Sequence, residues 1–110
     1  MNKYHNKKCF YKDMTFDSKK ERDYYIVLEM MLKNKQITDL KTQVKFELQP
    51  SFKFKGKTIR SINYIADFTY IDKKNKLHII DVKSEATKKD KVYRLKKKMM
   101  QYKGYDIEEI

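Results

Sequence analysis

Cysteine, proline and glycine are scarce in this chain, and acidic residues are heavily outnumbered by basic ones. One cysteine in 110 residues, Cys9, excludes an internal disulfide and a zinc site built on several thiolates. It fits a reducing compartment, and the expected location is cytosolic. One proline and two glycines are too few for a low-complexity or disordered chain. No apolar run approaches the roughly 20 residues of a membrane span. The start, Met1-Asn2-Lys3-Tyr4-His5, has no apolar signal core behind it. Membrane association is therefore not expected.

What is abundant is positive charge. The net charge is +12, and lysine outnumbers arginine by 24 to 3. Part of that lysine content reflects codon usage. The surplus still points to a polyanion, and nucleic acid is the commonest, because phosphate neutralisation releases counterions. Nine Tyr and six Phe supply apolar bulk for one core. A chain this short is one domain, with one sheet and a few helices.

Residues 1–16 are polar and basic without clear periodicity. They read as an N-terminal arm, either a loose tail or a segment lying on nucleic acid. Residues 17–110 read as a single domain. Ser18 and Glu21 have capping-box spacing ahead of a helix over 18–34. Glu21, Tyr25, Leu28 and Leu32 fall on one helical face. Val44, Phe46 and Leu48 alternate with polar residues as a strand does, Pro50 interrupts, and Phe52-Lys53-Phe54 resumes. Strands are expected over 59–71 and 77–83, joined by the polar loop 72–76. A helix over 88–103 follows, with Thr87 as its cap and Val92, Leu95, Met99 and Tyr102 as its core stripe; Gly104 stops it. The last residues form a short strand.

Residues two apart in a strand share a face, so Asp81 and Lys83 project together. A hairpin around 72–76 brings Asp67 beside Asp81. Asp81 follows Leu77-His78-Ile79-Ile80, the most apolar strand in the chain. A carboxylate there is costly unless it is paired or bound to metal. Two close carboxylates repel, and a divalent cation removes the conflict. Magnesium or manganese suits such oxygen ligands and polarises a phosphodiester while activating water. Lys83 can orient or deprotonate that water, or neutralise charge on the phosphorane. Glu21 is either the third residue of a capping box or a third acid aimed at the sheet. His78 points away from Asp81 and Lys83. Lys88, Lys89, Lys91, Arg94, Lys96, Lys97 and Lys98 surround the second helix's apolar stripe and suit phosphate contacts.

This pattern resembles the PD-(D/E)xK nuclease superfamily. Ile65-Ala66-Asp67-Phe68 matches its first element and Asp81-Val82-Lys83 its second, with Glu21 as the helix acid. More narrowly, Phe16-Asp17-Ser18-Lys19-Lys20-Glu21, Leu48-Gln49-Pro50-Ser51-Phe52, Tyr64–Tyr70 and Asp81-Val82-Lys83-Ser84 resemble a family of small phage- and prophage-encoded proteins. Ala66 stands where the superfamily name has Pro, and Asp81 where Glu is commoner. The resemblance implies an α/β, restriction-endonuclease-like core of helix, three-stranded meander, helix and strand, with a central mixed sheet flanked by helices. It also implies a metal-dependent endonuclease acting on DNA in recombination, replication or repair, a junction resolvase among the options. Asp67, Asp81, Glu21 and the Val82 carbonyl would hold Mg²⁺ or Mn²⁺, and Lys83 would serve the attacking water. Cutting two strands calls for a homodimer. Two other readings stay open: a DNA-binding module that cuts nothing, and a basic adaptor for an acidic protein.

Overall fold

The computed structural model describes residues 8–110. Its elements, in chain order, are β1 (Cys9–Tyr11), β2 (Met14–Phe16), α1 (Lys19–Lys33), β3 (Ile37–Gln49), β4 (Phe52–Phe54), β5 (Lys57–Ile59), β6 (Ile62–Asp72), β7 (Leu77–Asp81), α2 (Glu85–Lys88), α3 (Lys91–Tyr102) and β8 (Ile107–Glu109). The fold is α/β. A four-stranded mixed sheet runs in the order β3-β6-β7-β8, antiparallel except for the parallel β7–β8 pair. No helix among the described residues is long and apolar enough to cross a membrane.

The first helix starts where the capping residues place it. Ser18 is extended, and its Oγ accepts the Glu21 amide at 3.1 Å. Tyr25 and Leu28 face the sheet, but the stripe ends there, because Leu32 is exposed. The arm expected over residues 1–16 is not an arm in its described part. β1 and β2 pair as a hairpin, and Tyr11, Met14 and Phe16 pack with Leu28. Three-residue strands are too short to show a period, so only tertiary contact reveals them. The expectation for residues 1–7 lies outside the described residues.

Adjacent residues of a strand point to opposite faces, and the two cores follow from this. Ile80 joins Phe68, Tyr70, Leu28 and Ile37 in the core beneath α1. Ile79 joins Leu48, Tyr64, Tyr93, Met100 and Ile107 in the core beneath α3. Asp72 shapes the β6–β7 turn, its Oδ1 accepting the Lys74 and Lys76 amides at 2.8 and 3.0 Å. One expected strand, 59–71, is two: β5 ends at Ile59 and β6 begins at Ile62.

The second helix also departs from expectation. Ser84 caps the single turn of α2, and Asp90, not Thr87, caps α3, its Oδ2 accepting the Tyr93 amide at 2.9 Å. Val92, Leu95 and Tyr102 are exposed, while Tyr93 and Met100, seven residues apart, are buried. The helix carries two apolar stripes, and the sheet takes the one with Tyr93 and Met100, with Met99 partly buried beside it. The helix ends in a Schellman motif: Gly104 at φ +92°, with the Tyr105 amide bonding the Met100 carbonyl at 3.0 Å.

Candidate metal and phosphodiester site

The site lies where β6 and β7 part. Phe68 pairs with Ile80, and Asp67 and Asp81 come next in that register. In place of further ladder bonds, the two carboxylates grip the opposite strands. The Asp67 amide donates to Asp81 Oδ1 at 3.1 Å, and the Val82 amide donates to Asp67 Oδ2 at 2.8 Å. Asp67 also marks an inversion of the strand. Tyr64 and Ala66 feed the core beneath α3, but Phe68 and Tyr70 feed the core beneath α1. The single face that strict alternation would give residues 63, 65, 67, 69 and 71 is therefore interrupted. Opposite this point Gln43 has φ +52°, a left-handed residue inside β3, and it counters the burial that raises the Asp67 carboxyl.

Asp81 is wholly buried, and its second oxygen, Oδ2, has no hydrogen-bond partner. From α1, Glu21 is buried beside the pair. Burial pushes the Glu21 carboxyl up to about 7, with Asp67, Asp17 and Asp81 adding repulsion and Lys83 opposing. Asp67 and Asp81 are raised as well, first by burial, with Lys83 the largest opposing influence on each. The Lys83 ammonium stands 3.6 Å from Asp81 Oδ1 and 5.2 Å from the centre of the Tyr93 ring. Behind it the Tyr93 hydroxyl donates to Glu109 Oε2 at 2.6 Å, and Lys97 meets Glu109 at 3.0 Å. The backbone around Asp81 is held by residue 110, whose amide bonds the Asp81 carbonyl at 2.8 Å.

Such a cluster is short of positive charge. Three buried acids face one lysine, and one carboxylate oxygen has neither solvent nor a donor. That donor set suits a hard divalent cation. Among the described residues, no group of three or more His, Cys, Asp or Glu side chains is placed to hold a metal ion, so a cation here would rest on two carboxylates. Magnesium commonly takes one or two carboxylates and completes its shell with water and phosphate.

Residues 1–109 match a family described as "Protein of unknown function (DUF1064)". The chain belongs to the DUF1064 family. No curated protein and no solved structure matches it.

In this DUF1064 chain Asp67 and Asp81 stand side by side with Lys83 against Asp81, and Glu21 is buried near enough to feel their charges. Val82 takes part through its amide, which donates to Asp67. Asp17 and Gln43 are members that sequence reasoning missed. Asp17 is adjacent to the Ser18 cap, and Gln43 is found only once the β3–β6 register is known. The expected phosphate-binding residues divide. Lys88, Arg94, Lys97 and Lys98 line one depression of about 210 Å³ that shares Tyr93 and Glu109 with the site. Lys96 lines a separate apolar groove with Val92, Leu95 and Met99. Lys89 and Lys91 are exposed and line neither depression. His78 sits apart, stacked on Tyr70 and bonded to Asp72 at 2.7 Å and Glu108 at 2.6 Å.

Proposed function

We propose that this chain is a divalent-metal-dependent endonuclease of the PD-(D/E)xK type, hydrolysing phosphodiester bonds in DNA. The observation that carries this reading is the buried Asp67–Asp81 pair, with Asp81 Oδ2 unpartnered and Lys83 3.6 Å from the other oxygen. A buried carboxylate oxygen without a donor is uncommon, and a cation would give it a partner. Asp67 and Asp81, with the Val82 carbonyl, would hold Mg²⁺ or Mn²⁺, with Glu21 reaching it through water; the ion would polarise the scissile phosphate and lower the pKa of a bound water. The Lys83 ammonium, fixed between Asp81 and the Tyr93 ring, orients that water or neutralises charge on the phosphorane oxygens. Lys88, Arg94, Lys97 and Lys98 hold backbone phosphates beside the site without reading sequence. One domain offers one site, so cutting both strands of a duplex takes a homodimer.

The test incubates purified protein with branched, duplex and single-stranded DNA, with and without Mg²⁺ or Mn²⁺, alongside Asp81→Asn and Lys83→Ala. Metal-dependent cleavage by the wild type that both variants lose is the expected result. Equal cleavage by wild type and Asp81→Asn would sink the assignment. A second reading has its own support: Asp67 and Asp81 latch the parting strands through backbone amides. In that case the acids serve the fold, and the basic face binds DNA without cutting it. Metal-independent, salt-sensitive binding with no cleavage of any substrate would favour that reading.

A further inference from the structure

Between β3 and β6 the chain leaves the sheet as a ribbon. β4 and β5 pair only with each other, and every residue from 51 to 60 is exposed. Phe52 faces Ile59 across the ribbon, Lys53 faces Thr58, and Phe54 faces Lys57. Strand alternation therefore gathers Phe52, Phe54 and Ile59 on one side. Lys55 and Gly56, at φ +49° and +78°, form the tight turn whose twist suits a two-residue hairpin. All the charged residues of this stretch are basic: Lys53, Lys55, Lys57 and Arg60. The Lys55 ammonium lies 5.5 Å from the centre of the Phe54 ring. A lone two-stranded ribbon is marginal in water, and one that shows an apolar side to solvent gains by covering it.

We propose that the β4–β5 ribbon is a stacking surface for unpaired bases of a nucleic-acid strand. Phe52 and Phe54 offer ring faces on which successive bases stack, and the flanking cations follow the phosphates between them. Charge complementarity selects this occupant. A second copy of the chain would bring the same cations against each other, and an acidic protein would leave the paired rings unexplained. An intact duplex keeps its bases stacked on one another, so the ribbon favours single-stranded or opened segments. The five steps of strand from Ile62 to Asp67 cover about 17 Å, which places ribbon and candidate site within reach of one bound nucleic acid. The proposal rests on the nucleic-acid part of the reading above and not on cleavage.

The chain has no tryptophan, so Phe54→Trp installs a single reporter. In metal-free buffer, oligothymidylate should quench its emission, while a duplex of equal length quenches it far less. By anisotropy, Phe52→Ala with Phe54→Ala should weaken single-strand binding about tenfold or more and duplex binding within about twofold. Absent quenching, or equal losses for both substrates, overturns the proposal. A wild-type dimer in sedimentation that the double alanine variant dissolves also overturns it, making the occupant a second copy. Quenching without Asp81-dependent cleavage leaves this proposal standing and ends the nuclease reading; cleavage without quenching does the reverse.

Discussion

Replacing Glu21 with glutamine should make the protein more stable at alkaline pH while disabling the site. The Glu21 carboxyl titrates at about 7 in the fold, against an ordinary value of 4.5. Between those pH values the folded chain holds a proton that the unfolded chain has released. Stability therefore falls as pH rises through this window and stays lower above it. At about 1.4 kcal/mol for each pH unit, ionised Glu21 costs the metal-free protein about 3 kcal/mol at pH 8. Glutamine has the same shape, remains a good capping-box residue and carries no charge. In EDTA, Glu21→Gln should raise Tm by about 10 °C or more at pH 8, since each kcal/mol is worth about 4–8 °C in a domain of this size. At pH 4.5, where wild-type Glu21 is largely protonated, the two proteins should differ by about 2 °C or less. Thermal unfolding followed by circular dichroism at both pH values reads the difference. If the proposed nuclease reading holds, the variant should also lose metal-dependent cleavage, because one of the acids proposed to serve the metal is gone. An unchanged or lower Tm at pH 8, or a gain of equal size at both pH values, would refute the claim that Glu21 is an electrostatically strained acid.

Arg94→Ala and Lys98→Ala should each weaken DNA binding similarly for every sequence and flatten the salt dependence by about one unit of log–log slope, measured by anisotropy from low to physiological salt. His78 is raised above its ordinary value, chiefly by its hydrogen bond to Asp72. Its stabilising contribution is present below the unfolded-state pKa and fades as pH rises through the folded value. His78→Ala should thus lower Tm more at pH 5.5 than at pH 9, and the reverse order would refute the pairing. Leu28, 1% exposed beneath α1, should cost about 2–5 kcal/mol when cut to alanine, read by urea denaturation. A cost below 1 kcal/mol would mean that α1 is not packed as described.

The parts of this fold legible in the sequence are those governed by local rules. Ser18 and Glu21 announce the first helix, and the polar run 72–76 announces the turn that sets Asp67 beside Asp81. The hidden parts depend on a partner element. The β1–β2 hairpin exists because Tyr11, Met14 and Phe16 find α1. The choice between the Val92–Leu95 stripe and the Tyr93–Met100 stripe is made by the sheet, and the Asp90 cap turns the helix start by three residues from the expected one. β3 begins at Ile37, earlier than its alternation suggests, because left-handed Asp39 and Gln43 break the pattern. The same irregularity explains the site. A strict two-residue period would keep Ala66 and Phe68 on one face, and Asp67 would not stand at the crossing of the two cores.

The contacts of residue 110 set a timetable. Its amide and carbonyl bridge the Asp81 carbonyl and the Lys83 amide, and its carbonyl also receives the Lys20 ammonium at 2.8 Å. β8 reaches β7 only after α3 has crossed the sheet. During synthesis the two aspartates are thus made well before the strand that clamps them. A nascent chain holds its acids in an unfinished frame and gains the finished one only once residue 110 has emerged.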